Sequence, residues 1–142
     1  MIDDLVVYAR ERGVDVKYGN LGRRRGEYRH GPRLIVLNPH MSGVLQRSTL
    51  AHELGHAHRG DEWTDDPREL AARERLADEY AARLLVSPVE YALAERLHGQ
   101  HTGAIARELD VAVYVVEAWQ RLLRRGATPA LPRAARQHLR AV

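Results

Sequence analysis

Within TLAHELGHAHRG (residues 49–60), His52 and His56 stand four apart and Glu53 directly follows the first. On an α-helix, residues four apart lie one above the other on the same face. The two imidazoles can therefore aim nitrogens at one cation about 2 Å away, the distance zinc requires. Glu53 is rotated by roughly 100° from His52, so it flanks the metal, where it can hold and deprotonate a water. Gly55 keeps the intervening turn thin. This is the HExxH arrangement, whose chemistry is metal-assisted amide hydrolysis. A shuffled chain of this composition would spell it with a chance of about 3%, so a third ligand is needed before the spelling means a metal centre.

A catalytic zinc takes three protein ligands and keeps a fourth position for water. The chain contains no Cys, which excludes thiolate sites, disulfides and cysteine nucleophiles; the third ligand must be His or a carboxylate. The stretch after Asp66-Pro67 offers Glu69, Glu74, Asp78 and Glu79. Glu74, Ala77, Asp78, Ala81 and Leu85 recur at spacings of three and four and run from polar to apolar, as a helix leaving a metal site for a core would. Its alanines keep it slim enough to pack closely on the HELGH helix. Glu74 is the predicted ligand, Asp78 a partner that orients one of the histidines, and Glu79 lies off this stripe.

These residues need elements to carry them. Residues 2–12 predict a short amphipathic helix stopped by Gly13. VDVKYGNL (14–21) and the two halves of EYRHGPRLIVLN (27–38), folded about His30-Gly31-Pro32, predict a small antiparallel sheet of about three strands. Its most buried strand is Leu34 to Leu37, and strand 33–38 is expected beside the cleft, with an edge to which a substrate can add. A helix should then run from about Ser42 to Arg59-Gly60. Asp66-Pro67-Arg68-Glu69 predicts a second helix start closed by a capping box, reaching about Val86, and Ser87-Pro88-Val89-Glu90 a third reaching about His98. Two shorter helices follow near 103–109 and 113–125. The fold class is α+β: a small sheet packed against a mainly helical, zincin-type core. Residues 1–126 are read as one domain and 127–142 as a tail, either a loosely packed helix or partly disordered.

TLAHELGHA after an apolar strand ending in Leu-Asn, followed by ERLADEYAARLLVSP, resembles the ImmA/IrrE family of metallopeptidases. Members carry a segment near ExxA(N/D)xFAxxLLxP after their HExxH helix. Glu74, Ala77, Asp78, Tyr80, Ala81, Leu84 and Leu85 match it position by position, with Tyr80 for Phe and Pro88 one place late. The resemblance covers roughly residues 25–125. It implies zinc held by His52, His56 and Glu74, with Glu53 as catalytic base. It also implies a protein substrate, such as a transcriptional repressor controlling phage or mobile-element genes or a stress response.

A second electrophile for the oxyanion is expected; His58, Tyr80 and Tyr91 are the candidates. His58 is only two residues from His56, so it points to another face and is expected as a solvated helix-end histidine rather than a ligand. Helices 103–109 and 113–125 have a helix-turn-helix cadence, with a turn at Asp110-Val111. The second would offer Val113, Tyr114, Glu117 and Ala118 to a groove, a poor set for reading bases. Packing or protein docking suits these helices better, and nucleic acid is not an expected partner.

The formal charge of +3 and 29% charged residues describe a globular chain with weak basic bias. Lys17 is the one lysine among 22 basic residues, a bias that follows codon composition more readily than a designed anion surface. The first residues carry acids where a signal peptide needs basic ones, and no apolar run approaches 18 residues. A cytoplasmic protein without membrane contact is expected. Two readings compete with a peptidase: a non-catalytic module that binds a transcriptional regulator, and a DNA-binding regulator. The complete ligand set and base favour the enzyme.

Overall fold

Leu34–Leu37 is the only predicted strand apolar at consecutive positions, and in the computed structural model, which describes residues 2–126, all four are buried. A strand buried on both faces takes the middle of its sheet. This one, β3, lies between β1 (Asp15–Tyr18) and β2 (Gly26–Arg29) in the order β1-β3-β2. The sheet is mixed, not antiparallel throughout: β2 pairs with β3 antiparallel as a hairpin, whereas β1 pairs with β3 parallel, Asp15 opposite Leu34 and Tyr18 opposite Leu37. The reason lies in the loop 19–25, which crosses the C-terminal end of β3. Buried Asn38 holds it there, donating from Nδ2 to the carbonyls of Gly22 and Arg24 at 2.9 and 3.0 Å. The crossing delivers β2 to the far side of β3, so β1 and β3 point the same way.

Helix α1 (Asp3–Glu11) precedes the sheet and α2 (Gly43–Arg59) follows it. Ser42 caps α2, accepting from Leu45 N, and Gly60 ends it in the left-handed conformation at φ 67°. Helices α3 (Pro67–Leu85), α4 (Pro88–His98), α5 (Thr102–Leu109) and α6 (Val113–Arg124) complete the core. Asp66 caps α3 by accepting from Arg68 N at 2.9 Å. The predicted capping box does not close: Glu69 accepts instead from Thr64 Oγ1 at 3.0 Å, and Thr64 Oγ1 itself accepts from Asp66 N.

Leu50, Ala51 and Leu54 of α2 face a core shared with Ile35, Leu37, Ala81 and Ala82. Helix α6 buries Val115, Val116, Trp119 and Leu122, each contributing about 1.5–3 kcal/mol. It is held at its start by Ala112 N, which donates to buried Ser48 Oγ on α2 at 2.9 Å. Asp110, at φ 54°, makes the turn between α5 and α6. The predicted helix pair is therefore present, but Ala118 is fully buried, so the face once available for a DNA groove is partly core. No helix among the described residues is long and apolar enough to cross a membrane. The predicted tail at 127–142 lies outside the described residues.

Candidate metal centre

Close approach of α2 and α3 brings the predicted ligands together. Gly55 makes it possible: a Cβ there would stand 2.9 Å from Ala77 Cα and 3.0 Å from Tyr80 Cβ. Across this contact, His52 Nε2 and His56 Nε2 lie 3.2 Å apart. Each is 3.0 Å from one oxygen of Glu74. The outer nitrogens are engaged by acids: His52 Nδ1 donates to Asp78 at 2.8 Å and His56 Nδ1 to Asp61 at 2.9 Å.

An ionised carboxylate only accepts, so each Nδ1 carries a hydrogen, and each Nε2 offers a lone pair once its own proton is displaced. Glu74 adds a third. Three lone-pair donors this close repel one another unless a proton or cation lies among them. Two ligand atoms about 2.1 Å from one ion at a tetrahedral angle stand about 3.4 Å apart, close to the separations found. The donor set of two imidazoles and one carboxylate fits a divalent transition metal, and these three residues are the group among the described residues with the spacing to hold one.

The electrostatics agree with a cation-seeking site. Burial opposes charge on His52, but hydrogen bonds to Asp78 and Glu74 and the nearby Glu53 push its pKa from 6.5 up to about 10. His56 is raised on the same pattern, burial being outweighed by Glu74 and Asp61. Hydrogen bonds from the two histidines hold Glu74 well below the usual carboxylate range. Glu53 moves the other way: burial raises it, although the histidines' charge resists. A carboxyl beside a metal position with a raised pKa is suited to taking up and releasing a proton.

Strand β2 passes directly over Glu53. A Cβ on Gly26 would meet Thr49 Cγ2 at 2.9 Å and Glu53 Cγ at 3.3 Å. The cleft beside the ligands has two halves that share Gly26, Glu53 and Glu74 in their walls. On the His56 side are Tyr28, Trp63 and Leu70; Trp63 is 87% exposed. On the His52 side are Thr49, Asp78 and Tyr114. The strand at the cleft is thus β2, not residues 33–38; β3 is the middle strand and has no free edge.

Other expectations fare differently. Asp78 orients His52 as predicted, and buried Glu79 points away from the cluster into a pair with Arg125. None of the three oxyanion candidates lines the cleft. His58 is exposed, its ring 5.1 Å from that of Tyr80. The Tyr80 hydroxyl bonds that of Tyr8 at 2.9 Å, and Tyr91 donates to Glu95 at 2.9 Å.

Two site residues escaped the sequence reading. Asp61 reaches His56 because Gly60 closes the helix: Asp61 N donates to His56 O and Gly60 N to Ala57 O, a paired arrangement that a glycine after a helix announces. Tyr114 was assigned to an outer face, yet its ring meets that of His52 edge-on at 6.2 Å. Its spacing of four from Ala118 was the available signal. Burial raises the Tyr114 hydroxyl above its ordinary pKa, with Thr49 hydrogen-bonded beside it resisting in part.

The model of a peptidase family, M78, described as the IrrE N-terminal-like domain, matches residues 9–118. That span begins within α1 and ends within α6, so it takes in the sheet, both ligand-bearing helices and Tyr114. No curated protein matches the chain.

Proposed function

The chain belongs to the IrrE N-terminal-like family of metallopeptidases, and from that premise we propose that it is a zinc-dependent endopeptidase acting on a regulatory protein, such as a phage or mobile-element repressor. The observation that carries the reading is the convergence of His52, His56 and Glu74 beside a buried Glu53. Two imidazoles with one carboxylate suit zinc best among the common divalent metals. Zinc bound there would lower the pKa of a water towards about 7 and polarise the scissile carbonyl.

The chain's own residues supply the rest. His52 and His56 present Nε2 because Asp78 and Asp61 fix the hydrogens on Nδ1. Glu53 takes a proton from the attacking water on its carboxylate and hands it to the leaving amine nitrogen, work worth roughly 10²–10⁴ in rate. The free edge of β2 lets an extended peptide join the sheet through main-chain hydrogen bonds. The Tyr28, Trp63 and Leu70 half of the cleft suits a large apolar substrate side chain.

The test uses purified variants with a repressor substrate, reading zinc content and cleavage together. Glu53→Gln is expected to keep zinc and lose cleavage, while His52→Ala loses both. A Glu53→Gln protein that still cleaves would overturn the assigned base. A wild-type protein that holds no metal would overturn the centre itself.

A further inference from the structure

Hydrolysis through this site needs a donor for the negative charge that develops on the scissile carbonyl oxygen, and the three residues that the sequence suggested for it point elsewhere. The His52 half of the cleft offers few side-chain donors. Arg24 is bound to Glu27 at 2.9 Å, and the one hydrogen of the Thr49 hydroxyl is directed to Met41 Sδ, at 3.8 Å, or to the Tyr114 oxygen, which leaves the Tyr114 hydrogen unspent. Arg25, on the loop just before β2, and Tyr114, brought to this wall by α6, remain, and of the two Tyr114 is the one carried by a helix. Its ring stands at 84° to that of His52, with Glu53, Glu74 and Asp78 lining the same space. The backbone of α6 is fixed on both sides: Ser48 accepts from Ala112 N two residues before Tyr114, and Val115 and Val116 are fully buried after it. A donor on such a support is pre-aimed and needs no reorganisation during the reaction, the property that makes oxyanion stabilisation effective.

Resting on the peptidase reading above, we propose that Tyr114 is a catalytic residue that donates a hydrogen bond from its phenol to the oxyanion. The water oxygen bonds to the carbonyl carbon and the carbonyl π pair moves to oxygen. One water proton passes to Glu53. The Tyr114 O–H keeps its proton, as an ordinary phenol does near neutral pH, and only its hydrogen bond shortens. When the C–N bond breaks, the electron pair on oxygen re-forms the carbonyl and the amine nitrogen takes the proton from Glu53.

The experiment uses cobalt(II) in place of zinc and acetohydroxamate as the probe, an anionic chelator whose oxygens stand in for those of the reacting carbonyl and water. Visible absorption of the cobalt reports probe binding without any substrate. Tyr114→Phe keeps the ring and removes the donor. It is expected to bind acetohydroxamate at least tenfold more weakly, with cobalt affinity and thermal midpoint unchanged, while Tyr80→Phe binds it as the wild type does. With a peptide substrate, the same variant should lose kcat by roughly 10²-fold and leave KM near its wild-type value. Equal probe affinity in wild type and Tyr114→Phe overturns the proposal, as does a loss seen in Arg25→Ala but absent from Tyr114→Phe. A wild-type protein that takes up no cobalt overturns the metal centre and this role with it; cobalt uptake with unaltered probe binding overturns the role of Tyr114 alone.

Discussion

His52 Nε2 faces His56 Nε2 at 3.2 Å, with Glu74 bridging both at 3.0 Å. That relationship predicts one divalent metal per chain. Loss of any of the three side chains to Ala should weaken metal binding by at least 10²-fold. Glu79→Ala should retain it, because Glu79 bonds Arg125 on another side of α3. Elemental analysis of the four purified variants makes the comparison, and a metal-free Glu79→Ala beside a loaded Glu74→Ala would reverse the ligand assignment.

Gly55 sets the distance between the helices that carry the ligands. Helix propensity alone favours Ala over Gly by about 1 kcal/mol. Here a Cβ would press on Ala77 Cα at 2.9 Å, and overpacking of this kind costs about 1–3 kcal/mol. The contact should prevail: Gly55→Ala is expected to lower stability by about 1–2 kcal/mol and to weaken metal binding about tenfold as Glu74 is pushed away. Denaturant midpoints and chelator competition measure the two effects; a stabilised variant with unchanged affinity would mean that α3 yields without moving Glu74.

Protons and metal compete for the same nitrogen. The folded-state pKa of His52 lies near 10 against 6.5 ordinarily. A raised histidine pKa stabilises the metal-free fold fully below about pH 6.5, and that contribution disappears as pH climbs through about 10. Metal binding must expel the proton, so apparent affinity should rise with pH across this window, up to tenfold per unit for each proton displaced. Chelator competition at pH 6, 7 and 8, paired with thermal melts of the metal-free protein, reads both slopes. Affinity that stays flat over this range would mean that the imidazoles are already neutral.

Arg125 clamps the end of α6 to α3. Its Nη1 and Nη2 donate to the two oxygens of Glu79 at 2.8 and 3.1 Å. Glu79 is 1% exposed, so Arg125→Ala strands a buried carboxylate. The Arg125 side chain is itself 52% exposed, which moderates the loss to about 2 kcal/mol. Lysine cannot supply both parallel hydrogen bonds, so Arg125→Lys should fall between the wild type and Arg125→Ala in urea denaturation. Equal midpoints for all three would show that the pair contributes nothing.

What the sequence determined by itself was whatever depends on neighbours along the chain. Helical period put His52 and His56 on one face with Glu53 at their side, Asp66, Ser87 and Gly60 marked helix ends, and the Leu34–Leu37 run identified the buried strand. The stripe through Glu74 and Asp78 was legible because one helix carries both. Only the tertiary structure decided where separate elements meet. The crossing of loop 19–25 over β3 made the sheet mixed and gave the cleft to β2. The docking of α6 turned Tyr114 towards His52 and Arg125 towards Glu79. Each is a contact between segments distant along the chain, fixed by packing of whole faces rather than by local spacing, and residue type alone carries little trace of it.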